Sequence, residues 1–509
     1  MKNINQLKMG TLLSYVNMAI NTVIPLLYTP IMLRILGQGE YGLYSLSGSV
    51  TSYLSLLTLG LGSTIHRFYM RHITANDKKM VERTMGLFVL IYLVLAVVII
   101  AVGCAMTWFT GTLFAKGLSN AEIKKMNMLV VLLSINAGIS LLAVPFSSIV
   151  VCHEKYIFQK VFAIIGTMAS PLINLAVLYA GFASVGMAVV GVAWALVSIA
   201  VNFEYCRKRL SICPVFTNLP VEMVKEIFAF TIIVFVGQIA DLLYWSTDKV
   251  LIGAMLGTTA VAVYNIGTTF NSVMQQMASA ISGVFGTRVN KLVFSEQPMS
   301  AISELMTKVG RIQFLLISLI LSGFIVFGRP FLALWVGDGY RQAYEVALLT
   351  MLPMVIPLIQ NVAFIAVVAM NKHRFRSVIY TILAVANVAS TYFLIPHMGI
   401  IGAAACTFLV FILGHGVIMN WFYHKKIGLD VLAFWKNILK MSMVPVVLVI
   451  ASFIIGVGVN SIRQFIAGIA VYTAFFCILS WLLVMNQFEK QLVRGMLAKI
   501  WLLFRMKRK

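Results

Sequence analysis

Apolar residues fill this chain in stretches of about 20, long enough to cross a hydrocarbon core of roughly 30 Å as single helices. Polar residues gather in the short breaks between them. Windowed this way, the sequence predicts fourteen spans, at 10–35, 42–65, 84–108, 127–151, 157–180, 184–203, 228–252, 260–286, 312–334, 346–370, 376–395, 400–423, 439–458 and 463–485. The first run is longer than a signal-peptide core and lacks a small-residue cleavage pattern, so it is expected to remain as a membrane helix. The last stretch, 487–509, mixes apolar with basic residues and reads as an amphipathic helix lying at the membrane surface.

Acid is almost absent from the spans. Of 16 acidic residues only Asp241 and Asp248 fall deep inside an apolar segment, in VGQIADLLYWSTDKVLIG (236–253). A charge at membrane depth is costly, faces an interior or a water-filled space, and marks a substrate or ion path. Helical spacing puts Asp241, Tyr244 or Trp245, and Asp248 on one face, a polar stripe along the seventh span. Both aspartates are candidates to carry a coupling H+ or Na+. Adjacent helical positions point apart, so no ion pair is expected between Asp248 and Lys249.

Amides form a second group. The first span holds Asn17 and Asn21 with Pro25 and Pro30, the eighth Asn265, Asn271, Gln275 and Gln276, and the tenth Gln360 and Asn361 beside Pro353 and Pro357. Such side chains suit a hydroxyl-rich ligand, and equally suit hydrogen bonds that merely hold helices together. Arg34, Arg67, Lys249, Arg288 and Arg311 are the bases nearest span ends. They are placed either to grip a phosphate or to snorkel to the interface.

Composition narrows the class. With 61% hydrophobic and only 11% charged residues among 509, against a charged share of about 25% for soluble proteins, this is an all-α polytopic membrane protein. The net charge of +23 does not point to nucleic acid, because the bases are dispersed over short loops. Most of the 39 Lys and Arg fall in alternate loops, which the positive-inside rule assigns to the cytoplasm together with both termini. The six cysteines lack metal or disulfide spacing, and the chain has no Walker loop, HExxH, GxSxG or dinucleotide fingerprint. The expectation is a secondary transporter, not an enzyme, with no metal or cofactor beyond a coupling ion.

The chain also repeats itself. Leu36, Gly37 and Tyr44 match Leu256, Gly257 and Tyr264 at an offset of 220 residues. Residues 143–158 lie over 361–376, pairing Phe146 with Phe364, and Asn174 and Gly186 pair with Asn387 and Gly399. At the first offset Asn21 overlies Asp241 and Tyr28 overlies Asp248. This predicts two pseudosymmetric six-helix bundles, residues 1–210 and 211–425, around a central cavity. Residues 426–509 then supply two further helices and a basic tail. An even number of spans per half makes the repeat parallel, with the substrate site between the halves and alternating access by rocking.

LGQGEYGLYSL (36–46), STDKVLIGAMLGTTAVAVYNIG (246–267) and LIPHMGIIGAAACT (394–407) resemble the polysaccharide transporter family. These are the O-antigen-flippase (Wzx-type) members of the multidrug, oligosaccharidyl-lipid and polysaccharide exporter superfamily. The resemblance covers essentially the whole chain. It implies a flippase in the bacterial cytoplasmic membrane that moves an undecaprenyl-pyrophosphate-linked oligosaccharide to the outer leaflet. Membrane lipids, a polysaccharide polymerase and glycosyltransferases would be its partners. Under that reading Arg34, Arg67, Lys249 and Arg288 serve the pyrophosphate, and Asn17, Asn21, Asn265, Asn271, Gln275, Gln360 and Asn361 the sugars. Thr247, Asp248 and Lys249 are its best-matched segment. The alternatives are a lipid II flippase or a multidrug exporter of the same superfamily, and a non-transporting scaffold of a polysaccharide synthesis complex. The first span lacks the Pro-Asn pattern of lipid II flippases, and the N-terminal half lacks the acids of cation exporters. A scaffold would need no charged interior.

Overall fold

The structure, a computed structural model, describes residues 6–58, 61–75, 77–220, 222–372, 374–456 and 461–495, the side chains of 7, 8, 62, 63, 228–237, 240 and 241 excepted. Every regular element among these is helical, as lipid requires of a chain that must satisfy its own backbone. The helices run α1 (Gln6–Ser52), α2 (Leu61–Thr74), α3 (Lys78–Leu113), α4 (Asn120–Leu142), α5 (Val144–Cys152), α6 (Tyr156–Tyr179), α7 (Ala183–Tyr205), α8 (Glu222–Trp245) and α9 (Thr247–Leu256). They continue as α10 (Thr258–Phe294), α11 (Met299–Trp335), α12 (Ala343–Ile359), α13 (Asn361–Ala369), α14 (Arg374–Phe411), α15 (Met419–Phe422), α16 (Val431–Ile455) and α17 (Ile462–Leu479). Among the described residues nine helical stretches are long and apolar enough to span a membrane, or ten if α12 and α13, bent by 50° at Gln360, count as one.

The breaks differ from those the hydropathy pattern predicts. The loop expected between the first two spans is a single residue, Gly37, inside α1. Its φ of 76° is a conformation that glycine alone adopts at little cost. Gly257, its partner in the repeat, separates α9 from α10 with φ 89°. Likewise α5 and α13, which follow matched breaks at Ala143 and Gln360, are both nine residues long. Gly399 interrupts α14 in the same single-residue manner. The second span is not continuous either, since a 3-10 turn at Tyr53–Thr58 precedes α2. Most consequential, the seventh span stops at Ser246, where α8 gives way to α9, so the polar stripe predicted along it is interrupted.

The chain divides into two compact units, Met1–Asn265 with Tyr380–Cys406, and Ile266–Ile379 with Thr407–Lys509. In the first, Leu61, Ile65, Phe68 and Tyr69 of α2 pack with Met85, Phe88 and Tyr92 of α3 and with Phe146, Ile149 and Val150 of α5. In the second, α11 is the hub, packing against α12, α13, α16 and α17. Gly310 lets Phe434 and the Ile359 carbonyl approach its Cα, the small-residue contact on which helix association in lipid depends.

Candidate functional site: a buried carboxylate at a broken helix

The break at Ser246 makes Thr247, Asp248 and Lys249 the first turn of a new helix, where backbone N–H groups and the helix dipole favour a carboxylate. Two hydroxyl pairs pin that turn to the end of α1 and the turn after it. Ser52 donates to Ser246 at 2.8 Å, and Tyr53 and Thr247 share a 2.6 Å bond. Asp248 is 2% exposed. Its Oδ2 accepts a 2.7 Å bond from the Tyr264 hydroxyl of α10. Its Oδ1 is held loosely, by Asn387 Nδ2 and Thr391 Oγ1 of α14, each at 3.5 Å.

Around Oδ1 stand an amide N–H donor and a hydroxyl. Asn387 and Thr391 are fully buried, and Asn387 Oδ1 accepts no hydrogen bond among the described residues. A buried acceptor without a donor costs roughly 1–3 kcal/mol unless something else satisfies it. The carboxylate can take a proton, and with the Asn387 amide turned over, its oxygen would join the carboxylate and the Thr391 hydroxyl as donors to a hard monovalent cation. The residues present therefore fit a coupling ion. Lys249 turns the other way, donating to Asn265 Oδ1 at 2.5 Å, and Asn265 Nδ2 donates to the Tyr41 hydroxyl at 2.6 Å. Lys249 and Asp248 thus take different hydrogen-bond partners, although the two charges act on one another.

The repeat places a second copy of this arrangement in the same unit. Tyr28, Tyr44 and Asn174 occupy the positions that pair with Asp248, Tyr264 and Asn387. Tyr28 lies beside Tyr44 and Asn174. The Tyr28 hydroxyl and Asn174 Oδ1 are both buried without a well-formed hydrogen bond.

The remaining candidates scatter. Asn21 accepts from Thr167 of α6 at 3.3 Å, and Asn17 Oδ1 is buried with no partner among the described residues. Asn271 is buried with its Oδ1 unsatisfied, whereas Gln275 is exposed. Gln360 donates to Asn420 at 2.7 Å, which also accepts from Trp435 and donates to the His415 carbonyl. Asn361 donates to Ser282 at 2.9 Å. These two amides tie helices together, the alternative that composition left open. Arg34, Arg67 and Arg288 are exposed. The side chain of Asp241 lies outside the described residues, as do residues 496–509 of the basic tail.

Arg311 is not available to a phosphate. It is 8% exposed, and Glu489, at 2%, takes its Nε at 2.6 Å and its Nη2 at 3.0 Å, while the Val484 carbonyl accepts a third bond at 2.8 Å. Glu489 also caps its own helix by accepting from the Asn486 backbone N–H. Arg311 reads as a snorkelling base in sequence because its partner lies 178 residues away. Tyr264, Asn387 and Thr391 were missed as site residues, yet Tyr264 and Asn387 are two of the few polar positions that mark the repeat.

Residues 7–285 match the family described as Polysaccharide biosynthesis protein. The chain belongs to that family. The membrane protein EpsK of Bacillus subtilis (strain 168) is 20% identical over 424 residues, spanning 81% of this chain and 82% of EpsK. Among solved structures, the lipid II flippase MurJ in an inward closed conformation is similar with a TM-score of 0.70 at 13% identity, over 94% of this chain and all of MurJ. An inward-facing multidrug resistance MATE family transporter of the MOP superfamily follows at 0.63 and 16%, over 83% of this chain and 99% of its own. A MOP superfamily transporter from Pyrococcus furiosus, noted for the reverse polarity of its binding pocket, gives 0.58 and 15%, over 81% and 94%. At these identities the likeness is one of fold. The protein is an all-helical integral membrane protein of the polysaccharide biosynthesis family, with the fold of MurJ and the MATE transporters.

Proposed function

We propose that this chain is a flippase that moves an undecaprenyl-pyrophosphate-linked oligosaccharide across the bacterial cytoplasmic membrane for surface polysaccharide assembly. The observation that carries the reading is Asp248, a carboxylate buried at a helix break and bonded by the Tyr264 hydroxyl, in a chain of the polysaccharide biosynthesis family. A purely structural helix gains nothing from a charge there, whereas a carrier that must distinguish loaded from empty states does. Taking Gly37 and Gly399 as span ends, and joining the second part of α1 to α2, α4 to α5, α8 to α9, α12 to α13 and the second part of α14 to α15, supports fourteen spans with both termini cytoplasmic. The bundles are then 1–210 and 211–425, with 426–509 appended.

In this mechanism Arg67 and Arg288 attract the pyrophosphate, and Asn17, Asn21, Asn271 and Gln275 meet the sugars. Binding of H+ or Na+ at Asp248, with Asn387 and Thr391, resets the empty carrier. Carrying the hydrophilic head through lipid without such groups would cost several kcal/mol for each unsatisfied polar group.

The test is leaflet exchange of a fluorescent undecaprenyl-pyrophosphate oligosaccharide in liposomes, with proton and sodium gradients imposed separately. Exchange that follows one gradient and is lost in R67Q/R288Q supports the proposal. Absence of exchange, with gradient-driven efflux of a cationic dye, would overturn it in favour of a drug exporter. A second reading, a lipid II flippase, draws on the structural likeness to MurJ over 94% of the chain, and lipid II offered in the same assay separates the two.

A further inference from the structure

The end of α7 departs from α-helical geometry where its charge is concentrated. Cys206–Leu210 forms a π-helical turn, closed by Ser211 in the left-handed region (φ 55°, ψ 41°), whose N–H returns to the Cys206 carbonyl. Arg207, Lys208 and Arg209 follow one another round this turn, and all three are exposed. Lys208 is engaged by Glu204 at 2.5 Å, which leaves the two arginines as the excess charge. Beside them lies a groove of about 640 Å³, lined by the apolar Phe158, Ala200 and Phe203 and by Glu204, Lys208 and Arg209.

The groove leads into a track of half-buried rings. Tyr205 stacks on Phe158 with centroids 3.8 Å apart, Phe158 faces Phe162 at 6.3 Å, and Phe162 stacks on Trp194 at 5.6 Å. Gly166 makes the last step possible, since a Cβ there would come within 2.7 Å of the Trp194 ring. An arginine in the groove, a second on the same turn and a track of rings leading away suit a phosphodiester with a hydrocarbon chain attached.

The device occurs twice. Tyr423–Ile427 is a second π turn, carrying His424, Lys425 and Lys426 and closed by Gly428 (φ 85°). Beside it Phe375 stacks on Phe422 at 4.4 Å. Both rings of this stack sit at one common offset of 217 residues from Phe158 and Tyr205. The copies differ in charge chemistry: His424 is turned onto the Leu429 carbonyl at 3.2 Å, so the second turn offers two lysines where the first offers two arginines.

We propose that the groove at the end of α7 is a binding site for an anionic phospholipid. Arg209 holds its phosphodiester, Arg207 on the same turn adds to the positive charge, and an acyl chain follows Phe158, Phe162 and Trp194. The π turn at Tyr423–Ile427 is a weaker copy of the site. The assignment is independent of which substrate the protein moves.

Native mass spectrometry of the purified full-length chain, titrated with phosphatidylglycerol or phosphatidylcholine of matched acyl chains, tests it. Phosphatidylglycerol should bind preferentially. R207Q/R209Q should weaken its tightest binding by about tenfold, K425Q/K426Q should do so less, and K78Q/K79Q, which removes exposed charge elsewhere, should leave it unchanged. F158S should weaken a long-chain phosphatidylglycerol more than a short-chain one, and millimolar inorganic phosphate should not displace the lipid. Equal binding of both lipids, full retention in R207Q/R209Q, equal loss in the control, or displacement by phosphate would each overturn the proposal. Unchanged melting and monodispersity of R207Q/R209Q confirm that the fold is intact, and the milder R209Q gives the same ordering should the double variant aggregate.

Discussion

The repeat builds one polar centre twice and charges it once. In the first copy Tyr28 lies with Tyr44 and Asn174, three neutral groups, and the Tyr28 hydroxyl and the Asn174 oxygen go without good hydrogen bonds. In the second, Asp248 stands where Tyr28 does and binds Tyr264 at 2.7 Å, with Asn387 and Thr391 at 3.5 Å. The frame of tyrosine and asparagine is common to both. Only the second adds a carboxylate, and its helix is broken at Ser246 so that the carboxylate sits in a first turn, whereas Tyr28 lies within the unbroken N-terminal run of α1. Duplication thus supplies the scaffold, and one substitution turns a structural polar contact into a group able to take a proton or a cation.

Asp248→Asn should have the largest effect, because the amide keeps the size and the bond to Tyr264 but cannot take a proton or balance a cation. Exchange should lose its response to the coupling gradient, by roughly tenfold or more, which corresponds to at least about 1.4 kcal/mol of coupling. Gradient-driven and gradient-free exchange compared in the same liposomes read this directly. Full retention of the gradient response would remove Asp248 from the mechanism and leave the two centres equivalent.

Next is Tyr264→Phe, which deletes the 2.7 Å donor to a buried charged group. A bond of that kind contributes about 1.5–3 kcal/mol, so thermal unfolding in detergent should move downward measurably. The matched change in the first copy, Tyr44→Phe, removes no charge-assisted bond and should move it less. Equal shifts for both would mean that the bond to the Asp248 carboxyl is no stronger than an ordinary neutral contact.

How far the sequence discloses this arrangement depends on the scale asked about. The helical, membrane-spanning character and the solitary aspartates are visible because lipid imposes length and polarity on every span. The breaks at Gly37 and Ser246 are not, since a hydropathy window of about 20 residues averages over a single non-helical position. Side-chain commitments are hidden for another reason. Gln360 and Asn361 carry the same amides as a sugar site but donate to Asn420 and Ser282, and Arg311 finds Glu489 only once the tail has returned to α11. Composition reveals the groups a chain owns, and tertiary structure decides which are already engaged. Asn387 is the instructive exception, marked by the repeat and left with an unsatisfied oxygen.

A smaller effect follows for Asn387→Ala, which takes the neutral amide from beside Asp248 and leaves the carboxylate. If the driving ion is Na+, its apparent affinity should fall by roughly tenfold, about 1.4 kcal/mol, while the maximal rate stays close to that of the parent. If the ion is H+, the same variant should leave the response to the proton gradient nearly intact, because a proton needs no second ligand. Sodium titration of exchange therefore distinguishes the two ions through one residue.

The smallest change is expected in the first copy. Tyr28→Phe removes a hydroxyl that makes no well-formed hydrogen bond, so stability should stay within about 0.5 kcal/mol of the parent or rise slightly. Replacing both Tyr28 and Asn174 by apolar residues of similar size should be equally mild, since deleting two under-satisfied partners together leaves no orphan behind. Neither variant should alter the ion response. A loss of coupling in Tyr28→Phe equal to that of Asp248→Asn would show that the neutral copy participates in the same step. The repeat would then be a pair of working sites rather than one site and its uncharged ancestor.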